Sequence, residues 1–354
     1  MLLSEAINVT KKSGSGDADV YIGEMDPEWC IGVVPNGGYA LSQIVESCVQ
    51  KQYSSPHPDP IQVTAHFLNS PSASAFEVHI RLLKTGKTFT NLEAVLLQDS
   101  VTKISSHLIF GVLEPLPSQG STSEKKSKGY DISFLPPSPS PYARRLPLYH
   151  HPRTAPQTSF PSRLNFHTRL ELTHEPEIAA RNEASSPHRT SAEILGGGAV
   201  ESGFWCGFSN HSVKNGSEAK TDEVLSVSTL SFFADISPSA VLLLPTEYRK
   251  GLGISWFPTI SMTIEFKFAI PRPSKATPSY SNRTVGVFSS TSFLHGALGR
   301  HTSSTEVWTA PCDIGEAVEV AEGWRDDQVC LAVSTQMAVL VPIEKNLGRG
   351  KGKL

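Results

Sequence analysis

Residues 34–52 read VPNGGYALSQIVESCVQKQ, and this stretch predicts the helix around which the fold is built. Pro35 and Asn36 precede two glycines, and Asn36 has the side chain of a helix N-cap. Apolar residues then recur at helical spacing as far as Cys48. Because the stretch carries few charges, we expect a buried helix rather than one with a broad polar face.

Four strands are predicted directly after this helix. Their residues alternate between apolar and polar or are rich in β-branched types, and Gly86 and the pair Asp99-Ser100 mark turns between them. The predicted strands are IQVTAHFLN (61–69), FEVHIRLLK (76–84), TFTNLEAVLLQD (88–99) and VTKISSHLIFGVLE (101–114).

The second half of the chain repeats this order at greater length. A strand or strand pair is predicted within 191–210, followed by an apolar helix within 223–244 that Pro238 ends. Four more strands are predicted in SMTIEFKFAI (261–270), RTVGVFSSTSFL (283–294), RHTSSTEVWTA (300–310) and QVCLAVSTQMAVLVP (328–342). The repeated order predicts an α+β protein of two units, each with a long central helix wrapped by an antiparallel β-sheet.

A stretch dense in Pro, Ser and Lys separates the two halves. This composition, over residues 115–163, predicts an extended linker or a segment that lies along the surface. We therefore divide the chain into a first unit at 17–113, a linker at 114–189, a second unit at 190–343 and a basic tail at 344–354.

Composition narrows the classes of partner. The 354 residues carry a formal net charge of -3, which gives no reason to expect nucleic acid or an anionic membrane as a partner. No apolar run approaches the length of a membrane span. The five cysteines are odd in number and contain no C-x-x-C pair, and the twelve histidines contain no H-E-x-x-H pair. We therefore expect neither a disulfide framework nor a metal site.

Cysteine usage and the chain ends bear on the compartment. Reduced thiols are typical of the cytoplasm, which is the expected location. The last three residues, Gly352-Lys353-Leu354, differ by one residue from the peroxisomal signal Ser-Lys-Leu, so a peroxisomal location is a second interpretation.

Three polar residues stand inside apolar stretches of the second half. Asp235 lies in LSFFADISP, Thr259 in WFPTISMTIEFKF and Gln336 in CLAVSTQMAVLVP. Such groups are costly to bury unless they bond one another, the backbone or a water molecule. A carboxylate, a hydroxyl and a carboxamide in a water-excluding wall are suited to holding and activating one water molecule.

The two-unit pattern resembles the double hotdog acyl-CoA thioesterases, and most of all their fungal thioesterase-like branch. The matching segments are WCIGVVPNGGYA (29–40), IQVTAHFLNSPSA (61–73) and KTGKTFTNLEAVLLQD (84–99) in the first unit, and FFAD (232–235), PTI (258–260) and STQ (334–336) in the second. The resemblance covers roughly residues 17 to 113 and 190 to 343. It implies hydrolysis of an acyl-CoA or acyl-carrier thioester, with no cofactor apart from the coenzyme A of the substrate, and it allows a homodimer.

The resemblance also implies a catalytic site. The Asp, Thr and Gln that bind and activate the hydrolytic water in that family fall on Asp235, Thr259 and Gln336. Backbone N–H groups at Gly37 and Gly38 are expected to bind the substrate as oxyanion donors, because glycines at a helix start allow close approach to the backbone. Coenzyme A carries phosphates, so we expect a basic rim around the site that binds them. The candidate residues for this rim are Lys84, Lys87, Arg283 and Arg300.

Other interpretations of these residues stay open. Asp235 alone is compatible with a helix-end residue, Thr259 and Gln336 with ordinary strand positions, and the glycine pair with a loop-to-helix junction. His66 and His107 lie in predicted strands, where a histidine more often satisfies the core than catalyses. His107 also takes the position in the first unit that Gln336 has in the second.

Other functions stay open as well. One is a hydratase or dehydratase acting on a thioester, and another is an enzyme that tailors a polyketide or fatty acyl thioester in secondary metabolism. A third is a non-catalytic protein that binds acyl thioesters. The absence of a G-x-S-x-G motif argues against an α/β-hydrolase.

Overall fold

The computed structural model describes residues 1–12, 18–113, 143–191, 197–209, 211–214, 217–220, 222–271, 279–296 and 298–348. The first part of the predicted linker (114–142) and the last six residues of the basic tail, which include the C-terminal Gly-Lys-Leu, lie outside these ranges.

The first unit contains the predicted helix and all four predicted strands. Its elements are α1 (Leu3–Ala6), β1 (Thr10–Lys12), β2 (Asp19–Glu24), β3 (Cys30–Ile31), β4 (Val34–Pro35), α2 (Gly37–Gln52), β5 (Asp59–Phe67), β6 (Ala75–Thr85), β7 (Thr90–Gln98) and β8 (Val101–Gly111). The Asn36 side chain caps α2 by accepting the Tyr39 N–H at 2.9 Å. Asp99 and Ser100 both adopt positive φ, as a tight hairpin between twisted strands requires.

The connecting segment, residues 143–190, is packed and partly regular. It contains β9 (Gln157–Thr158), β10 (Leu170–Thr173), α3 (Pro176–Arg181) and α4 (Pro187–Thr190). Although its composition predicts a linker, β10 pairs with the second unit and Leu146 and Leu148 are fully buried. These leucines and Ile178 pack against Trp205 and Trp308, on the outer face of the strands of the second unit. Scattered apolar side chains suffice here because an existing sheet face receives them.

The second unit repeats the order of the first. Its elements are β11 (Val200–Phe208), β12 (His211–Lys214), β13 (Ser217–Lys220), α5 (Val227–Phe233), α6 (Ala240–Leu243), β14 (Ser255–Trp256), β15 (Thr259–Phe266), β16 (Thr284–His295), β17 (Arg300–Thr309), β18 (Cys330–Ala338), β19 (Val341–Pro342) and α7 (Glu344–Leu347).

The central helix of the second unit, α5, is shorter than predicted. This helix has seven residues against sixteen in α2, and it ends before Asp235 rather than at Pro238. Ser226 and Thr229 form a capping box at its start. After Phe233 the Ser334 hydroxyl donates to the Ala234 carbonyl at 2.9 Å, which satisfies a backbone group that a longer helix would have bonded internally.

The two units share one antiparallel sheet. Its strand order is β1-β2-β6-β7-β8-β5-β15-β18-β17-β16-β11-β10-β9, with 13 strands among the described residues. The order is symmetric about the β5–β15 pair, from which β8, β7, β6 and β2 extend on one side and β18, β17, β16 and β11 on the other. This symmetry supports the predicted duplication, and the α+β double hotdog fold is confirmed.

Both central helices lie on the inner face of the sheet and contact each other. At Gly38 a Cβ would come within 2.6 Å of the Ser231 carbonyl oxygen and 3.0 Å of the Phe232 Cα. Glycine therefore allows the start of α2 to touch the backbone of α5. One apolar core fills both units, and it includes Trp29, Tyr39 and Phe232.

Candidate active site

Asp235 follows the end of α5 and points toward the start of α2. Its backbone N–H bonds the Phe232 carbonyl at 3.1 Å, in the last turn of the helix. Its side chain accepts the Gly38 N–H through Oδ2 at 2.7 Å. Because the first N–H groups of a helix lack intrahelical partners, α2 offers a donor where the second unit brings a carboxylate.

Thr259 reaches the same place through an irregularity in its strand. In β15 the inner face carries Met262 and Ile264, so strict alternation would turn Thr259 outward. A bulge between Thr259 and Ser261 pairs Thr259 with Ala338, on the inner face beside Gln336. Since a bulge re-aims one side chain, it places the hydroxyl toward the helices.

The three predicted catalytic residues meet in one cluster. The Thr259 hydroxyl lies 2.9 Å from Gln336 Oε1 and 3.4 Å from Asp235 Oδ1. Gln336 is 8% exposed, and Asp235 and Thr259 are partly buried. Polar groups at this depth are thus paired with one another, which removes most of the cost of burying them.

Asn36 is a further member that the sequence indicated only as a helix cap. Its side-chain amide bonds Asp235 while its Oδ1 holds the Tyr39 N–H, and it is 5% exposed. The two amide ends therefore connect the cap of α2 with the carboxylate of the second unit. Polarity at an N-cap is ordinary, so the sequence carried no signal for this second contact.

Burial raises the pKa of Asp235 to about 6. Hydrogen bonds from Gly38, Thr259, Asn36 and Gln336 oppose this effect because they stabilise the ionised form. A carboxylate with this pKa is ionised at neutral pH and is a stronger base than an exposed aspartate.

A cavity of about 660 Å³ opens in front of this cluster. Both units and the connecting segment line it, and the wall includes Gly37, Phe67, Phe166, Asp235, Thr259 and Gln336. The volume is in the range of small-molecule sites, and the wall is largely apolar with a few polar groups converging on one place.

The two glycines have different environments. The Gly38 N–H is engaged by Asp235, so the structure contradicts its use as an oxyanion donor while this bond is present. Gly37 lines the cavity, and no hydrogen bond to its N–H occurs among the described residues. A Cβ at Gly37 would lie 2.9 Å from Asp235 Oδ2, so a larger residue would press against the carboxylate.

The equivalence drawn between His107 and Gln336 is wrong by one residue. Ser106 faces inward opposite Ala65, as Gln336 does opposite Met262, and it donates to the Ala94 carbonyl at 2.7 Å. His107 is exposed on the outer face, as is His66. A shift of one residue along a strand moves a side chain to the other face.

The predicted basic rim is also corrected. Arg283 is 8% exposed and donates to the Phe208 and Ser209 carbonyls, so it is structural, and neither Lys84 nor Lys87 lines the cavity. Two other cations do, Arg163 and Lys345. Both are exposed, and neither forms an ion pair with a described residue.

Comparisons with known proteins agree with this fold. The family described as "Acyl-CoA thioesterase N-terminal domain" matches residues 25–111. A putative thioesterase II from Thermobifida fusca has 19% sequence identity and a TM-score of 0.62, covering 96% of this chain and 97% of its own. An acyl-CoA thioesterase II from Mycobacterium marinum has 12% identity and a TM-score of 0.57, covering 96% and 98%.

The family match covers the first unit, and the solved structures show the same fold over both units. A hot dog fold protein of unknown function from Alicyclobacillus acidocaldarius is similar over the same extent, with 14% identity, 96% and 98% coverage and a TM-score of 0.57. A search of curated protein sequences finds no match. The family match over residues 25–111 supports a thioester hydrolase in general class. Among its described residues, no helix has the length and apolar character needed to cross a membrane.

Proposed function

We propose that the protein hydrolyses acyl-CoA thioesters by direct attack of water, with Asp235 as the general base. The observation that carries the proposal is the convergence of Asp235, Thr259 and Gln336 on one wall of the shared cavity. A base of pKa about 6 accepts a proton effectively at neutral pH.

Thr259 and Gln336 position the attacking water in this mechanism. Their hydrogen bond fixes both side chains beside the carboxylate, which reduces the orientational part of the barrier. The proton of the water passes to Asp235, and the oxygen attacks the thioester carbonyl carbon. The carbon–sulfur bond then breaks, releasing the carboxylic acid and the thiol of coenzyme A.

Gly37 is the proposed oxyanion donor. Its N–H lies at the first turn of α2, where the helix dipole favours negative charge, and it borders the cavity. Gly38 instead holds Asp235, so adjacent N–H groups of one helix serve the base and the substrate.

Coenzyme A is the proposed carrier because cations border the cavity. Arg163 and Lys345 belong to different parts of the chain, yet both line the same opening. Exposed cations that lack an ion-pair partner suit phosphate groups. A carrier-protein thioester presents its single phosphate with the carrier attached, and this is the alternative to be tested.

Thiol release over a panel of acyl-CoAs of increasing chain length tests the proposal. The purified chain is expected to release coenzyme A from at least one member, and the product is expected to be the free acid without a change in double bonds. No release from any member would refute hydrolysis of acyl-CoA. A change in double bonds in the product would favour the hydratase alternative.

A further inference from the structure

The inner faces of the two units differ in polarity. In the first unit the inward residues of the central strands are mostly apolar, among them Val63, Leu92, Ile104 and Leu108; Thr90 and Ser106 are buried polar exceptions. In the second unit the inner face carries hydroxyl and other polar side chains at the cavity end of the strands. They are Ser202, Ser289, Thr291, His301, Ser303, Thr305, Ser334 and Gln336, each at most 9% exposed.

The short helix α5 accounts for where this polar area lies. Phe232 and Phe233 cover the apolar end of the inner face, which includes Phe204 and Val287. Beyond the helix the cavity begins, and Ser202, Ser239, His301 and Ser303 belong to its wall. Since alkyl chains are accommodated by apolar walls, this end of the cavity has a different chemistry from a fatty-acyl tunnel.

His301 is the residue of this wall with the most defined orientation. It is 2% exposed, and Nδ1 lies 2.8 Å from the Gly299 carbonyl oxygen, to which it must donate. In the neutral ring, Nε2 is therefore an acceptor. Its partner in the described structure is the Ser239 hydroxyl at 3.3 Å, a long distance for such a bond.

His301 Nε2 can thus accept a further hydrogen bond beside the cavity. Between Ser202 and Thr305 on the same face, the Ser289 hydroxyl is buried without a partner among the described residues. His301 pairs with Ala338, which pairs with Thr259 on the next strand, so about 10 Å separates the backbones of His301 and Thr259. The small side chain of Ala338 leaves space between them.

We propose that this end of the cavity recognises a hydroxyl group on the acyl chain of the thioester. The substrate hydroxyl donates to His301 Nε2 and accepts from Ser239, and so replaces one long hydrogen bond with two. The proposal rests on the proposed thioester hydrolysis and specifies the class of acyl group. A plain alkyl chain would contact the same polar wall without this gain.

A matched substrate series tests it. We would measure kcat/KM for hexanoyl-CoA and for each positional isomer of hydroxyhexanoyl-CoA. The best hydroxy isomer is expected to exceed hexanoyl-CoA by about tenfold, the value of one net hydrogen bond. In His301→Leu and in Ser239→Ala this ratio is expected to fall toward one. His107→Leu, on the exposed outer face, is the control and should retain the wild-type ratio.

The outcomes separate the two proposals. Hydrolysis of hexanoyl-CoA at least as fast as every hydroxy isomer would overturn the hydroxyl site while leaving the hydrolase intact. A ratio unchanged in both variants would do the same. If circular dichroism shows that His301→Leu does not fold, the ratio in Ser239→Ala tests the proposal alone, because Ser239 is partly exposed. No hydrolysis of any substrate would count against the proposed function itself.

Discussion

The Gly38 N–H donates to Asp235 Oδ2 at 2.7 Å, across 197 residues of sequence. This bond joins the start of the first unit's helix to the carboxylate that follows the second unit's helix. The proposed site therefore requires both units, because one unit holds the proposed base and the other supplies the N–H that supports it.

Gly38→Ala is expected to destabilise the protein. Its Cβ would lie 2.6 Å from both Asp235 Cβ and the Ser231 carbonyl oxygen, so α2 and α5 would have to separate. Such overpacking costs about 1–3 kcal/mol. Thermal unfolding should show a lower Tm, together with reduced activity. Gly253→Ala is the matched control, because nothing lies within 4 Å of its added Cβ; an equal Tm loss in both variants would contradict the close helix contact.

The pH dependence of kcat/KM should report the ionisation of Asp235. The ionised form is the base, so the rate should rise through a pKa of about 6 and then level off. Thr259 lowers this pKa by its hydrogen bond. In Thr259→Val the rising part of the pH profile should therefore move to higher pH, and the maximal kcat/KM should fall. The control is Thr263→Val, because the Thr263 hydroxyl bonds Thr64 and not Asp235. A pH profile of Thr259→Val that rises through the same pKa as the wild type would contradict the hydrogen bond between Thr259 and Asp235.

The strands β5–β8 and β15–β18 and the long helix α2 were predictable because each has a clear local period. The symmetry of the sheet followed from their repeated order. What local pattern did not show are contacts set by distant partners. The bulge that turns Thr259 inward depends on pairing with β18, and the burial of Leu146 depends on the outer face of another unit's sheet.

The candidate site was predictable in part for the same reason. Asp235, Thr259 and Gln336 stood out as polar residues in apolar segments and through the family resemblance. The second role of Asn36 and the engagement of Gly38 arise from the packing of two helices far apart in sequence. Arg163 lies in a segment whose composition predicted no fixed structure, which hid its place at the cavity.

Removing the buried charge should stabilise the folded state. Asp235 has a pKa raised to about 6 from an ordinary 3.8, so the folded protein binds this proton more tightly than the unfolded chain. Stability is therefore lost as pH rises between these values, by on the order of 3 kcal/mol. At pH 7.5 Asp235→Asn should have a higher Tm than the wild type, and the difference should shrink below pH 4. A lower Tm for the variant at pH 7.5 would contradict the burial cost.

The cations at the cavity should distinguish coenzyme A from smaller thioesters. Replacing Arg163 and Lys345 by Ala is expected to raise KM for an acyl-CoA several-fold, with kcat nearly unchanged, because phosphate contacts are equal in ground and transition states. The KM for the matching acyl-pantetheine, which lacks phosphates, should not move. Lys84→Ala, outside the cavity, serves as the control. A similar KM change for both substrates would argue against phosphate recognition.

The most direct test is the kcat of Asp235→Asn on the best acyl-CoA of the panel. Loss of the general base should lower kcat by about a thousandfold with little change in KM, since the amide keeps the shape but accepts no proton. Asp222→Asn, at an exposed position, should retain wild-type kcat. A kcat of Asp235→Asn equal to that of the wild type, with correct folding shown by circular dichroism, would contradict water activation by Asp235.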